Sequence, residues 1–204
     1  MLRILTVDDH PLLRAGISSV INAQPGMEVV AEAADGEQAI AEFHKHLPDV
    51  TVMDLRLPRK SGIEAIAAIR QDHPKARIII LTTYAGDVQA LKAFKAGASG
   101  YLLKNMLRTE LVDTIRSVHA GVRRIPPEIA AMMAEHASDE ALSAREVEVL
   151  RHVSSGHSNK VIASDLDLSE HTIKGHLKNI LSKLGANDRT HAVMIALNRG
   201  FLDS

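Results

Sequence analysis

The sequence contains no cysteine. That absence excludes disulfides, thiolate zinc sites and cysteine nucleophiles together, and it suits a reducing compartment. Any metal must then be held by oxygen or imidazole. Also missing is an apolar stretch approaching the roughly 20 residues needed to span a bilayer, and the N-terminus lacks the basic, apolar, small-residue order of a signal peptide. A cytoplasmic location without membrane contact is expected. Neither sign of charge is in excess: 24 Lys and Arg stand against 25 Asp and Glu, a net charge of −1, so bulk electrostatics give no argument for a polyanionic partner. Low-complexity runs are lacking too, and aromatic residues make up only 2 % of the chain. What is present is ample material for burial. The chain is 46 % hydrophobic over 204 residues, a length that accommodates two domains of about 100 residues each.

Through the first 120 residues, short apolar runs alternate with helical periods. The runs are Arg3-Ile-Leu-Thr-Val7, Glu28-Val-Val-Ala-Glu32, Asp49-Val-Thr-Val-Met53, Arg77-Ile-Ile-Ile-Leu81 and Gly100-Tyr-Leu-Leu103. Between them, sets such as Leu12, Leu13, Ile17, Val20 and Ile21 fall at the spacing of an amphipathic helix. This alternation predicts five parallel strands with right-handed crossovers and helices on both faces, a flavodoxin-like doubly wound α/β domain over residues 1–120. Gly121-Val-Arg-Arg-Ile-Pro-Pro127 then forbids a continuing helix, and with a short Ala/Met-rich helix and Ser138-Asp-Glu140 it reads as a linker over 121–141. From Leu142 only helical segments follow, four in number, predicting an all-α domain over 142–204.

Acidic and phosphate-binding residue types stand where the apolar runs end. Asp8 and Asp9 close the first run, Asp54 the third, Thr82 the fourth and Lys104 the fifth. In a doubly wound sheet ligands sit at the C-terminal strand edge, so these five residues converge on one crevice. A lone strand-end aspartate is commonly a turn or capping residue; the matched set is the signal. Three clustered carboxylates repel one another and are best tolerated around a hard divalent cation, which predicts a Mg²⁺ site. One carboxylate can then attack a phosphoryl group to give an acyl phosphate, while an ammonium and a hydroxyl neutralise the transferred oxygens. Asp54 is the natural nucleophile, Lys104 the cation and Thr82 the hydroxyl.

The motifs Val7-Asp-Asp-His10, Met53-Asp-Leu-Arg-Leu-Pro58 with Gly62, Leu81-Thr-Thr83 and Gly97-Ala-Ser-Gly-Tyr-Leu-Leu-Lys104 together resemble the receiver domain of response regulators. The resemblance implies Asp54 as phosphoacceptor, Asp8, Asp9, Asp54 and the backbone carbonyl of Arg56 as metal ligands, and Thr82 and Lys104 as phosphate partners. It further implies Tyr101 as a switch aromatic, expected beside Thr82; the alternative is an ordinary core aromatic. Asn105 departs from the family, where a proline with a cis bond often follows the lysine.

In the C-terminal part, Ser143-Ala-Arg-Glu146 fits a capping box, with Val147, Leu150 and Val153 continuing an apolar stripe. Lys160-Val-Ile-Ala-Ser-Asp-Leu166, a turn ending in Ser169, and a longer helix from Glu170 to Leu184 make a helix-turn-helix. At 100° per residue, Ile173, Leu177, Ile180, Leu181 and Leu184 share one face of the longer helix, while His171, Lys174, Gly175, Lys178 and Ser182 share the other. From His171 to Arg199 five basic residues (Lys174, Lys178, Lys183, Arg189, Arg199) face one acid, Asp188, so the polyanion surface of this neutral chain is expected here. Two lysines alone would suit a solvated face; within a helix-turn-helix they are placed for a major groove.

Leu142-Ser-Ala-Arg-Glu-Val-Glu-Val-Leu150, Gly156-His-Ser-Asn-Lys-Val-Ile-Ala163, Leu168-Ser-Glu-His-Thr-Ile-Lys-Gly-His176 and Lys183-Leu-Gly-Ala-Asn-Asp-Arg-Thr-His-Ala192 resemble the LuxR-type DNA-binding domain. With the receiver, this resembles the NarL/FixJ class of two-component response regulators. It implies DNA contacts by Lys174 and Lys178, with Asn159, Lys160, Thr172 and Arg189 nearer the backbone, and a dimer interface at Val193 and Leu197. Gly175 departs from a typical recognition helix: it either admits close backbone approach or reads nothing.

The expected function is a transcription factor, not an enzyme, phosphorylated by a sensor histidine kinase or small phosphodonor and binding double-stranded DNA as a homodimer on half-sites about one helical turn apart. The competing reading is a Mg²⁺-dependent phosphohydrolase, which leaves the helix-turn-helix unexplained. A third, ligand-controlled receiver without phosphorylation is opposed by the intact Asp54, Thr82 and Lys104.

Overall fold

A computed structural model of the chain describes residues 1–83 and 86–202; the final two positions of the expected 142–204 domain lie outside that range, as do two residues after the fourth strand. Two compact units are present: residues 1–83 and 90–130 form the first, and residues 86–89 and 131–202 form the second.

The first unit holds β1 (Leu2–Val7), α1 (Pro11–Asn22), β2 (Met27–Ala33), α2 (Gly36–His46), β3 (Val50–Asp54), α3 (Gly62–Asp72), β4 (Ile78–Thr82), all but the first residues of α4 (Asp87–Ala96), β5 (Gly100–Leu103), a 3₁₀ turn at Lys104–Met106 and α5 (Leu107–His119). The strands form one parallel sheet in the order β2-β1-β3-β4-β5. Central strands flanked by crossover helices are covered on both faces, which is why β3 and β4 are buried along their whole length and read as continuous apolar runs. Burying each of Ile78, Ile79, Ile80 and Leu81 contributes about 1.5–3 kcal/mol relative to leaving it exposed. Edge strand β2 is only partly buried. One core gathers Ile4, Val50, Val52, Ile79, Leu81 and Leu102 with α1 and α5 residues Ile17, Ile21, Leu111 and Ile115.

The stretch read as linker begins with a tie to this sheet. The Tyr101 amide donates to the Arg124 carbonyl at 2.9 Å, and Gly100 and Arg124 form an isolated parallel bridge. A lone bridge residue leaves no periodicity to read. Next comes α6 (Pro127–Glu135), starting where Pro at the first helical position costs no hydrogen bond.

The second unit is helical: α7 (Ala144–Ser154), α8 (Asn159–Asp165), α9 (Glu170–Leu184) and α10 (Arg189–Arg199). Ser143 and Glu146 form the capping box at α7, and Ser158, Ser169 and Asp188 cap the next three helices through side-chain oxygens. Gly185 ends α9 in the left-handed region, φ 60°, where a side chain would be strained. Val149, Leu150, Ile162, Ile173, Ile180, Ala192 and Ala196 fill the core.

Candidate functional site

The strand ends deliver the first site. Asp8 follows β1, Asp54 is the last residue of β3, Thr82 the last of β4, and Lys104 follows β5. The registers Asp54↔Leu81 and Thr82↔Leu103 set these ends side by side. Asp8, Asp54 and Thr82 are buried, and Asp9 is exposed. Lys104 Nζ donates to Asp54 Oδ2 at 2.8 Å and lies 2.9 Å from Asp8 Oδ2. This buried Asp8 oxygen is thus paired with the ammonium, and no other donor among the described residues reaches it. The Arg56 amide donates to Asp54 Oδ1 at 3.3 Å.

Ligand oxygens of Asp8, Asp9 and Asp54 and a ring nitrogen of His10 all lie within 4.8 Å of one another. His10 belongs to the cluster although no role was read for it: its Nδ1 is 2.7 Å from Asp9 Oδ1 and 3.3 Å from Asp8 Oδ1, and its amide donates to Asp8 Oδ1 at 2.8 Å. The sequence signal was available in Val7-Asp-Asp-His10, whose histidine begins the turn into α1. Three carboxylates against one lysine, which is shared between two of them, fit a hard divalent cation of the Mg²⁺ kind.

The electrostatics agree. Burial is the main influence on Asp54 and raises its pKa; the hydrogen bond and charge of Lys104 pull it down, the Asp8 charge pushes it up, and it stays raised. Burial alone would lower the Lys104 pKa, but the hydrogen bond to Asp54 and the approach of Asp8 outweigh it and hold the ammonium above its ordinary value. The pocket thus keeps a firmly charged cation beside a carboxylate that ionises reluctantly.

Two glycines let the β3–α3 loop close. A Cβ on Gly62 would fall 2.3 Å from the Asp54 carbonyl oxygen, and one on Gly36 2.1 Å from the Lys60 carbonyl oxygen. The Ser61–Glu64 capping box starts α3 directly beyond. Tyr101 is fully buried with its ring centroid 6.4 Å from Phe94. It pairs with Ile80, whereas Thr82 pairs with Leu103, so Tyr101 and Thr82 are diagonal neighbours on one face of the sheet.

The second site lies on the helix-turn-helix. Ser169 accepts from the Thr172 amide at 3.0 Å and meets the Thr172 hydroxyl at 2.8 Å, fixing the start of α9. Ile173, Ile180 and Leu184 point into the core, while His171, Lys174, Gly175 and Lys178 are exposed along the opposite side. Lys160 is exposed near the start of α8, and Asn159 holds a buried side-chain oxygen with no hydrogen-bond partner. Arg189 donates to the His157 carbonyl at 2.8 Å, which joins the start of α10 to the turn before α8. Val193 and Leu197 are half-buried against their own unit's core; the most exposed large apolar side chain of α10 is Met194, at 54 %.

Residues 4–116 match the family model of the response regulator receiver domain, and residues 140–196 match that of bacterial regulatory proteins of the luxR family. The chain is 36 % identical over 206 residues to response regulator protein VraR of Staphylococcus aureus, covering 98 % of this chain and 99 % of that one. Among solved structures, it resembles a LuxR-family two-component response regulator from Aurantimonas sp. SI85-9A1 at 48 % identity and TM-score 0.64, over 66 % of this chain and 96 % of that one. It also resembles RcsB from Salmonella enterica serovar Typhimurium bound to the promoter P1flhDC in the presence of phosphomimetic BeF3⁻. That match has 26 % identity and TM-score 0.72, and covers 97 % and 98 % of the two chains.

Proposed function

The chain belongs to the two-component response regulators that join a receiver domain to a LuxR-type helix-turn-helix, and on that premise we propose that phosphorylation of Asp54 controls its binding to double-stranded DNA. The observation that carries this reading is Lys104 Nζ, 2.8 Å from a buried Asp54 oxygen and 2.9 Å from Asp8. A cation so placed meets the charge that phosphoryl transfer brings to the pocket.

In the proposed step an Asp54 carboxylate oxygen forms a bond to phosphorus while the bond from phosphorus to the donor's leaving atom breaks, and the leaving group departs with that electron pair. The product is an acyl phosphate. Asp8, Asp9, Asp54 and the Arg56 carbonyl would hold Mg²⁺, which when bound supplies charge neutralisation of the phosphoryl oxygens. Lys104 transfers its hydrogen bond from the carboxylate to a phosphoryl oxygen, and Thr82 offers its hydroxyl to another. Tyr101, packed on Phe94 along the same sheet face, follows Thr82 and reports the change.

On the DNA side, α9 enters the major groove with His171, Lys174 and Lys178 outward, while Thr172, Asn159, Lys160 and Arg189 meet the phosphate backbone. RcsB, which has also been solved as two dimers bound to two parallel DNAs, supports DNA binding by a dimer, for which α10 with Val193 and Leu197 is the proposed contact. Phosphate comes from a sensor histidine kinase or a small phosphodonor in the cytoplasm. Family membership supports this over a free-standing phosphohydrolase.

Intact mass after incubation with Mg²⁺ and acetyl phosphate tests the reading. One acid-stable, base-labile phosphoryl group is expected on the protein and none on Asp54→Asn. Labelling that persists in Asp54→Asn places the nucleophile elsewhere.

A further inference from the structure

The helix-turn-helix unit holds a second set of ligand-type side chains that neither phosphoryl transfer nor DNA contact uses. His152 lies in the last turn of α7, His157 in the turn that follows, and Asp165 at the end of α8. Their ligand atoms converge. His152 Nδ1 is 3.1 Å from His157 Nδ1, and Asp165 Oδ2 is 3.5 Å from the first nitrogen and 3.7 Å from the second.

These distances are those of a coordination polyhedron. Around an ion bound at about 2.0–2.1 Å, two ligand atoms of a tetrahedron lie about 3.3–3.4 Å apart, and the three edges here bracket that value. Protons alone satisfy the set poorly. A neutral imidazole carries one N–H, and if both pointed inward they would collide; with one inward, a single proton serves two acceptors, the other ring nitrogen and the carboxylate. The carboxylate approaches are longer than hydrogen bonds. One divalent cation would satisfy all three atoms at once.

The site is also pre-built. The His157 amide donates to the His152 carbonyl at 3.2 Å, and Gly156, at φ 81°, makes the turn that brings the rings together with centroids 5.3 Å apart. A cavity of about 260 Å³ opens beside the rings, lined by Glu148, Arg151, His152, Ser155 and His157. Two imidazoles and a carboxylate suit Zn²⁺ or a neighbouring transition ion, and the lack of cysteine leaves only ligands of this type.

We propose that His152, His157 and Asp165 form a Zn²⁺ site that clamps both ends of α8, the first helix of the helix-turn-helix, to the end of α7. The clamp reaches the DNA side through His157, whose carbonyl receives Arg189, and through Asn159 and Lys160, which follow it into α8.

The test is a Zn²⁺ titration of the full chain, stripped of metal and held in Mg²⁺ to occupy the acidic pocket, by calorimetry and by thermal melting. Wild type should bind one equivalent that raises the melting temperature. His157→Gln and Asp165→Asn should each weaken that equivalent by on the order of tenfold or more. Asp165 is exposed at 42 % of its side chain, so this variant decides the matter if His157→Gln fails to fold. Co²⁺ in place of Zn²⁺ should give the visible absorption of a tetrahedral centre in wild type and lose it in both variants. Absence of binding, or equal stoichiometry and affinity in wild type and Asp165→Asn, overturns the proposal and leaves the pair an ordinary imidazole hydrogen bond.

Discussion

Lys104 and Asp54, fifty positions apart in sequence, meet at 2.8 Å from Nζ to Oδ2, and the same ammonium stands 2.9 Å from Asp8. One cation thus compensates two buried carboxylates. The arrangement makes the pocket's charge balance depend on whatever else enters it.

Removing that cation leaves Asp8 and Asp54 uncompensated, a loss of about 3–5 kcal/mol in fully buried pairs and less here, where Lys104 is partly exposed. Lys104→Ala should therefore melt at a lower temperature without metal. Mg²⁺ should stabilise wild type, by about 2.7 kcal/mol at a hundred times its dissociation constant, and should stabilise Lys104→Ala relative to its own metal-free melt by a larger temperature shift. Calorimetric melts with and without Mg²⁺ check both; no shift in wild type at saturating metal would refute the site.

Gly62→Ala should destabilise the first unit by about 1–3 kcal/mol, because the new Cβ meets the Asp54 carbonyl oxygen at 2.3 Å and backbone cannot swing away as a side chain can. Gly16→Ala is the control. Nothing lies within 4 Å of its Cβ, so helix α1 should gain up to about 1 kcal/mol. Chemical denaturation of the two variants separates the outcomes by sign.

Gly175→Ala should stabilise the second unit by about 1 kcal/mol, since the position is exposed within α9 with open space around it. Thermal melting reads that gain. A DNA titration of the same variant then assigns the glycine: weaker binding marks close backbone approach to DNA, and unchanged binding marks a position that reads nothing.

Acid should loosen the second unit through Glu146. Burial would raise its pKa, but the Ser143 amide at 2.7 Å and Lys183 at 3.0 Å outweigh that and lower it. A carboxyl with a lowered folded value adds stability that is full above the ordinary glutamate value of about 4.3 and is lost as pH falls through the folded one. Glu146→Gln keeps a capping-box residue but removes the titration, so its stability should fall less steeply below about pH 4.3. An identical acid limb in both proteins, followed by circular dichroism, would contradict this.

Much of the acidic pocket was legible because parallel strands turn sequence position into spatial position. Once Val50–Asp54 and Ile78–Thr82 are strands, Asp54 and Thr82 must share an edge. The α9 boundaries were legible for a similar reason: Ser169 and Gly185 are strong cap signals at either end. The role of Gly62 was not, since it exists only because a tertiary turn brings the residue against the Asp54 carbonyl. Nor was the Gly100–Arg124 bridge, a single pair without periodicity. The convergence of His152, His157 and Asp165 depends on the positive φ of Gly156, which spacing does not encode. Val193 and Leu197 share their helical face with Ala192 and Ala196, and sequence alone could not divide that face between the unit's own core and a partner.

The central claim is that the state of Asp54 sets the DNA affinity of the whole chain. The direct measurement is a titration of full-length protein on a selected DNA site at one fixed salt concentration, with and without Mg²⁺ and acetyl phosphate, for wild type, Asp54→Asn and Lys178→Ala. Coupling between two sites is commonly worth about 1–3 kcal/mol, so phosphorylated wild type should bind about fivefold or more tightly than unphosphorylated protein. Asp54→Asn should show no gain, and Lys178→Ala should weaken both states. Equal affinity of phosphorylated and unphosphorylated wild type would contradict the account.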